Sequence, residues 1–142
     1  MQQAPRNQPG SKKGRAGEAV AATFLEKKGM RILKRNFRSR FGEVDIIALD
    51  GETVVFAEVK TWAILGIDAL EQALSTRKKH KIIETSKFFL SLHREYRYMA
   101  IRFDVIFISP KWPERTQRPQ GSQWPEGTQI ITHLASAFTE GV

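Results

Sequence analysis

The sequence predicts a single α/β domain in which helices flank a mixed central β-sheet. The chain has 142 residues, enough for one compact domain and too few for two ordinary ones. Residues 44–49 and 53–60 are apolar at odd and even positions alike, which is typical of strands buried on both faces of a sheet. Helical spacing of apolar residues precedes and follows these strands, so helices can cover both faces.

The predicted elements begin with a helix from about residue 12 to residue 28. Ser11 can cap its first turn, and Gly29 ends it. A first strand is predicted over 30–38, and the favoured turn pair Asp50-Gly51 separates the next two strands.

The second half of the chain predicts another helix and two further strands. Ser75 precedes a helix to about Leu92, whose inner face is expected to consist of Ile82, Ile83, Ser86, Phe89 and Leu90. A short helical segment with the form of a capping box is predicted at 68–71. Residues 98–109 predict a fourth strand, which joins the sheet after a right-handed crossover.

The two ends of the chain have distinct compositions. We expect residues 1–13 to form a disordered basic tail and residues 14–142 to form the domain. Residues 109–127 contain four Pro and two Gly, a composition that predicts a long loop. Residues 129–138 predict a last strand followed by a turn of helix.

Positive charge is concentrated in the first third of the chain. Residues 1–41 carry eleven Lys and Arg against two acids, whereas the remainder is close to neutral. This asymmetry predicts a surface that faces a polyanion such as nucleic acid. A solubilising tail and a solvated helix face are alternative interpretations, and no strongly amphipathic basic helix favours a membrane surface. The candidate nucleic-acid-binding residues are Arg15, Arg35, Arg38, Arg40, Arg77, Lys78, Lys79 and Lys81.

The chain lacks cysteine and any apolar leader segment at its N-terminus. Disulfides and thiolate metal sites are therefore excluded, and a reducing, cytoplasmic location is expected.

Three ionisable residues interrupt the two apolar strands. With Leu49 paired to Glu52 across the turn, Asp45 lies opposite Phe56, and Glu58 becomes its diagonal neighbour. Lys60 lies two residues beyond Glu58, so it is expected on the same face. A change of turn register by one residue would move Asp45 to the other face.

Paired carboxylates suit a hard cation, and a nearby lysine suits phosphoryl chemistry. Asp45 and Glu58 could hold Mg²⁺, and Lys60 could steer the attacking water or offset charge on phosphorus. Glu18, on the edge of the first helix's apolar stripe, is a candidate fourth group. An ion-pair network without catalytic function remains the alternative interpretation, although buried charges make it less favourable.

The run GEVDIIALDGETVVFAEVKT at 42–61 resembles the core of the PD-(D/E)XK nuclease superfamily, an Asp followed by a turn and Glu-x-Lys. More narrowly, the chain resembles the YraN-like family of bacterial endonuclease-like proteins, related to archaeal Holliday junction resolvases. Further similar segments are GEAVAATFLEKKG at 17–29, RNFR at 35–38, FGEVD at 41–45, TRKKHKI at 76–82 and RFDVI at 102–106.

The resemblance implies a restriction-endonuclease-like α-β-β-β-α-β core with Mg²⁺ or Mn²⁺ at Asp45 and Glu58. It also implies that Lys60 lies beside the attacking water and that Glu18 is the family's helix-one acid. The sequence departs from the usual pattern at Trp62-Ala63 and at residues 65–67.

Several other residues are weaker site candidates. Gln72 is a loosely aligned candidate near the metal, and Trp62 could stack on an unpaired base or pack within the fold. The three histidines are spread over separate elements without metal-ligand spacing, which favours packing or solvated roles: His80, His93 and His133. Asp104 in the fourth strand could be a further acid of the site, but a hydrogen-bonded structural role is expected for it.

The sequence therefore predicts a Mg²⁺-dependent endonuclease acting on DNA, branched or single-stranded. The alternative is a catalytically silent nuclease-fold module that binds nucleic acid or a protein partner. Branched-DNA resolvases usually act as dimers, so a homodimer is also expected from the resemblance, although no interface signature accompanies it.

Overall fold

The computed structural model of the protein describes residues 8–61, 75–110 and 129–140. In chain order, the elements are α1 (Gln8–Lys27), β1 (Arg31–Ser39), β2 (Gly42–Asp50), β3 (Thr53–Thr61), α2 (Thr76–Leu92), a 3-10 turn (Arg94–Tyr96), β4 (Ala100–Pro110) and β5 (Gln129–Phe138). The α/β class with a mixed sheet is thereby confirmed.

The five strands form one sheet in the order β1-β2-β3-β4-β5. Neighbouring strands are antiparallel except for β3 and β4, which run parallel. A parallel pair needs a crossover connection, and α2 lies within it. The fully buried runs of β2 and β3 therefore lie inside the sheet, as their apolar composition predicted.

The two faces of the sheet bury two separate hydrophobic cores. Ala21 and Leu25 of α1 pack on one face, among Ile46, Val55 and Ile106. On the other face, Ile82 and Phe89 of α2 pack among Val44, Ile47, Phe56 and Phe103. In the described part of the chain, the sheet is thus the middle layer of three, with α1 on one side and α2 on the other.

Helix α2 begins where the sequence predicted. The Ser75 side chain accepts a hydrogen bond from the Lys78 backbone N–H at 3.2 Å, which satisfies one unpaired donor of the first turn. The expected inner face is buried at Ile82, Ile83, Ser86 and Phe89, and Leu90 is half-buried. Lys78 in the first turn reaches Glu58, near the carboxyl end of β3.

Two predicted boundaries differ from the structure. Helix α1 begins at Gln8 rather than near residue 12, because proline is tolerated in the first turn of a helix and Pro9 lies there. The predicted helical turn within 129–138 was wrong, because that whole segment is strand β5. Its hydrogen bonds go to β4 from Gln129 to Phe138, interrupted by a bulge.

The predicted register of the β2–β3 hairpin was also wrong. Asp50 pairs with Thr53, so Gly51 and Glu52 form the turn. Gly51 has a φ of 63°, a conformation that favours glycine at the first turn position. One residue beyond the pair Ile46–Ala57, the same register places Asp45 opposite Glu58 instead of Phe56.

Some predictions fall outside the described residues. They concern the tail before Gln8, the 68–71 helix, Trp62, Gln72 and most of the 109–127 loop. No helix among the described residues is long and apolar enough to cross a bilayer.

Candidate functional site

The candidate site lies at a fork in the sheet between β2 and β3. The ladder between these strands is formed from Asp50–Thr53 to Ile46–Ala57 and ends there. At the next position, Oδ2 of Asp45 accepts a hydrogen bond of 2.8 Å from the backbone N–H of Val59. A side-chain carboxylate therefore takes the place of a backbone acceptor, and Asp45 lies between the strands.

In β2, the regular alternation of side chains between the two faces of the sheet breaks at the same residue. Val44 and Ile47, three residues apart, both belong to the α2-side core, whereas Ile46 belongs to the α1-side core. Regular alternation would place Val44 with Ile46. Across from Asp45, Asn36 of β1 has a φ of 54°, which marks a local irregularity in that strand as well. The expectation of one shared face holds for Glu58 and Lys60, whose charged groups lie 3.3 Å apart, but not for Asp45, which occupies the gap between two strands.

Glu18 reaches the fork from α1, on the opposite face from α2. It is 9% exposed, and its Oε1 atom is buried without a hydrogen-bond partner among the described residues. Gly17 permits this approach, since a Cβ at that position would lie 1.7 Å from Cγ2 of Thr61. The close contact of α1 with the end of β3 therefore positions the third carboxylate.

The other two carboxylates, those of Glu58 and Glu18, both repel Asp45. Burial raises the pKa of Asp45 well above its usual value of 3.8. The negative charges of Glu58 and Glu18 raise this pKa further, whereas the hydrogen bond from the Val59 N–H lowers it. Burial also raises the pKa of Glu18, which hydrogen bonding with Asn36 and Asp45 opposes. Such a cluster costs free energy unless a proton or a cation neutralises it.

Two lysines supply positive charge on the α2 side. Lys60 Nζ lies 3.3 Å and Lys78 Nζ 3.1 Å from the same Oε2 atom of Glu58, whose side chain is 7% exposed. Burial lowers the pKa of the Lys78 ammonium, but Glu58 and Asp45 outweigh it, so the net pKa is raised and the charge is retained. Lys78, grouped by the sequence with the nucleic-acid-binding residues, thus lies within the carboxylate cluster.

The donor set of this fork fits a hard divalent cation. It offers carboxylate oxygens, one of them without a partner, and mutual repulsion that a cation would relieve. Among the described residues, however, no three acids stand in ready-made coordinating geometry. Glu58 holds two lysines in place of an ion, so these ammonium groups would have to move before it could bind a metal.

The other candidate basic residues are distributed around the fork rather than gathered at it. Arg35, exposed on β1, acts electrostatically on Glu18. Arg38 pairs with Glu43 at 3.3 Å, and Arg40 lies over the Phe41 ring.

On α2, the remaining cations point in different directions. Lys79 Nζ lies 5.9 Å from the centre of the Phe138 ring on β5, whereas Lys81 lies against Gly42. Arg77 is exposed, and the side chain of Arg15 lies outside the described part of α1.

A second polar cluster, which the spacing of the sequence did not reveal, surrounds Asp104 on β4. Its carboxylate accepts two hydrogen bonds from Arg102, at 3.0 and 3.1 Å, and one from the Ser136 N–H at 2.9 Å. His133 Nε2 lies 2.7 Å from Oδ2, and Lys28 Nζ lies 2.9 Å from His133 Nδ1. Asp104 is fully satisfied by these partners, which supports the structural role expected for it. The signal available in the sequence was an acid in an otherwise buried strand.

Comparison with known proteins places the chain in a family. Residues 17–108 match the model of "Uncharacterised protein family UPF0102", a range that includes all four residues of the predicted catalytic set. A UPF0102 protein of Treponema pallidum is 45% identical over 127 residues, covering 89% of this chain and 92% of the relative. A UPF0102 protein of Persephonella marina is 46% identical over 96 residues, covering 68% of this chain and 82% of the relative.

A third UPF0102 protein, from Treponema denticola, is 42% identical over 132 residues, or 88% of this chain and 93% of the relative. These matches confirm the resemblance to the YraN-like group that the sequence motifs indicated. The chain belongs to the UPF0102 family.

Proposed function

We propose that this protein is a metal-dependent endonuclease that hydrolyses DNA phosphodiester bonds. The observation that carries the proposal is the fork between β2 and β3, where Glu18, Asp45 and Glu58 gather beside two lysines. Buried like charges are costly, so their presence in the middle of an apolar sheet calls for a ligand that requires them. The element order α-β-β-β-α-β is in keeping with the restriction-endonuclease-like core that the motif implies.

Asp45 and Glu58 would hold Mg²⁺ or Mn²⁺, and Glu18 would contribute its unpartnered oxygen to the ion or to a water bound beside it. When bound, the ion would supply positive charge at a phosphoryl oxygen and make a bound water more acidic. The Asp45 carboxylate is held in place for this role by the hydrogen bond that its Oδ2 accepts from the Val59 N–H.

The lysines would act on the substrate phosphate. Both ammonium groups lie on one oxygen of Glu58, so a metal ion bound to that carboxylate would displace both lysines and make them available to phosphate oxygens. Lys60 would orient the attacking water and stabilise the charge that develops on phosphorus, and Lys78 would hold a neighbouring phosphate oxygen. Positive charge on the N-terminal third of the chain would steer DNA toward the fork.

A cleavage assay tests the proposal. Purified protein is incubated with Mg²⁺ or Mn²⁺ and a panel of labelled DNA: duplex, single strand, flap and four-way junction. We expect cleavage of at least one substrate, abolished by EDTA, by Lys60→Ala and by Asp45→Ala. Lys87→Ala is the matched control, because Lys87 pairs with Glu84 and Glu140 away from the fork. Cleavage that survives in both Lys60→Ala and Asp45→Ala contradicts the mechanism.

One observation favours a catalytically silent module as the second candidate. Two lysines neutralise Glu58 without any metal, so a similar fork could persist as an ion-pair network in a protein that only binds nucleic acid. Such a module would bind DNA with an affinity that falls steeply with salt and would be indifferent to EDTA. Salt-dependent binding with no cleavage of any substrate in the panel would favour this candidate.

A further inference from the structure

The cleft at the far end of α2 from the fork has its own chemistry. It has a volume of about 360 Å³ and is lined by β1, the end of α2 and the 3-10 turn. Lys78 and His93 are separated by 15 residues of helix, or about 22 Å, so the cleft is distinct from the carboxylate fork. This volume is near the lower end of the range for small-ligand sites and suits a single ring system.

Aromatic rings form the wall of this cleft. His93 stacks on Phe89 with ring centroids 4.2 Å apart, and Tyr96 lies nearly parallel to Phe89 at 6.2 Å. Phe37 closes the back, edge-on to Phe89 at 5.2 Å. Phe89 is buried, but the side chain of His93 is 40% exposed and Tyr96 is half-buried. The wall therefore presents two aromatic residues to a planar ligand entering from solvent.

The rim of the cleft is charged in a way that suits a nucleotide. Arg31 and Lys34 of β1 are exposed and line the cleft with the rings. One acid also lines it, Glu95, whose Oε2 lies 3.9 Å from His93 Nδ1. Cations can hold phosphate oxygens, and a carboxylate can accept a hydrogen bond from the exocyclic amino group of a base.

The strand that carries this rim also leads to the fork. Arg31, Lys34, Arg35 and Arg38 are all exposed along β1, which forms one edge of the sheet. Arg35 already acts on Glu18 at the fork, and it lies four residues from Arg31, or about 13 Å of strand. At a rise of about 3.4 Å per nucleotide, that distance corresponds to about four nucleotides of stacked strand.

We propose that the cleft of Phe37, Phe89, His93 and Tyr96 receives the base of an unpaired nucleotide, whose phosphates bind to Arg31 and Lys34. This inference deepens the proposed nuclease function and rests on it for the identity of the polymer. It assigns the substrate as DNA with a single-stranded segment beside the cleavage position. A fully paired duplex has no base free to enter the cleft, so it would bind only through its phosphates.

Binding is measured by fluorescence anisotropy with Lys60→Ala protein, which the proposed mechanism leaves unable to cleave. The two probes are a labelled single strand of about 12 nucleotides and a duplex of the same length, a size within the usual range for single-strand sites. Tyr96→Leu should weaken single-strand binding by at least about fivefold, the lower end of the effect of losing one base stack. It should leave duplex binding unchanged.

Tyr98→Leu is the matched control, because Tyr98 is 88% exposed two residues away and does not line the cleft. Leucine preserves apolar packing at position 96, and circular dichroism with a thermal melt checks that each variant is folded. A second pair of variants tests the rim: Arg31→Gln with Lys34→Gln should weaken single-strand binding, whereas Lys87→Gln should not.

The results separate this inference from the proposed function. If the folded Tyr96→Leu protein binds single strand as well as its parent does, the cleft is not a base site, and a protein side chain becomes the better occupant. Equal weakening of single-strand and duplex binding, or no DNA binding at all, also overturns the inference. Failure of the unmodified chain to cleave any substrate would reject the nuclease function but would leave a Tyr96-dependent single-strand preference standing.

Discussion

Asp45 is the residue on which the candidate site depends, since it joins the two strands of the fork. Its carboxylate replaces a backbone acceptor by binding the Val59 N–H and at the same time faces Glu18 and Glu58. A half-buried carboxylate in that position destabilises the metal-free protein at neutral pH, because folding must hold several negative charges together. A residue with this cost and a raised pKa is typical of functional sites rather than of packing.

Replacing Asp45 by Asn should stabilise the metal-free protein. The Asn side-chain oxygen can still accept from Val59, while the repulsion from Glu18 and Glu58 disappears. Because the folded-state pKa of Asp45 is raised, its unfavourable effect on stability is absent at low pH and develops as pH rises from about 4, its unfolded value.

Thermal melts in EDTA should therefore show Asp45→Asn melting a few degrees above the parent at neutral pH, with the difference shrinking toward pH 4. Adding Mn²⁺ should raise the melting temperature of the parent and not that of the variant. A variant that is less stable than its parent at every pH would contradict the assignment of Asp45 to a repelling cluster.

Asp104 is a buried acid whose pKa is lowered rather than raised. Burial raises its pKa, but hydrogen bonds from His133, Arg102 and Ser136 outweigh burial and hold the pKa below the ordinary value of 3.8. A lowered pKa contributes stability above the unfolded value, and that stability is lost as pH falls through the folded value.

Asp104→Asn should therefore destabilise the protein at neutral pH by about 3 kcal/mol, because Arg102 loses a carboxylate partner within the fold. The variant should also show a weaker loss of stability below about pH 4 than its parent, since the titrating group is gone. Urea unfolding at neutral and acidic pH measures both effects. If the two proteins lose stability equally as the pH falls, the prediction is refuted.

At the scale of elements, the packing of α1 on β3 sets the position of Glu18. A Cβ at residue 17 would collide with Cγ2 of Thr61, so the helix approaches the strand more closely than any larger residue allows. Gly17 is thus required by close approach rather than by a turn, and a larger residue would push Glu18 away from Asp45.

Gly17→Ala should lower stability despite the better helix propensity of alanine. Overpacking costs about 1–3 kcal/mol of stability, and the gain in helix propensity is at most about 1 kcal/mol, so the net effect is destabilising. Thr23→Ala, at an exposed position of the same helix, is the control and should not destabilise. Combining Gly17→Ala with Thr61→Ser, which removes Cγ2, should restore part of the loss in a thermal melt. If Gly17→Ala is as stable as the parent, α1 does not depend on this contact.

The elements also show what sequence patterns can and cannot predict. The apolar runs of β2 and β3 and the Ser75 cap of α2 are local signals, so they predicted strands and a helix start that the structure contains. The helical turn expected in 129–138 failed because β5 is fixed by its pairing with β4, a distant segment. The Asp104 cluster was missed for the same reason, since its partner His133 is 29 residues away.

The sequence predicted which residues gather at the candidate site more accurately than it predicted how they are arranged. Residue types and the Glu-x-Lys spacing identified the acids and Lys60, but regular alternation could not predict the break at Asp45. That break arises because the carboxylate fills a gap in the β2–β3 ladder. The position of Lys78 on Glu58 depends on how α2 crosses the sheet, which only tertiary packing determines.

At the scale of the whole molecule, the described residues contain two charged networks of different kinds. One network, around Asp104, is closed and neutralised by its own partners. The other, at the fork, leaves a carboxylate oxygen without a partner and two lysines on one acid. The edge strand β1 carries exposed cations beside the aromatic cleft and beside the fork. This arrangement suits a polymer that crosses the molecule along β1.

We propose that Asp45 and Glu58 form a metal site, and anomalous scattering from crystals soaked in Mn²⁺ would locate an ion bound there. We predict a single strong anomalous peak at the fork, within coordination distance of Asp45 and Glu58, with Lys60 and Lys78 displaced from Oε2 of Glu58. Crystals of Asp45→Asn should lack the peak. Full Mn²⁺ occupancy elsewhere, or both lysines still on Glu58 with no peak at saturating Mn²⁺, would contradict the account.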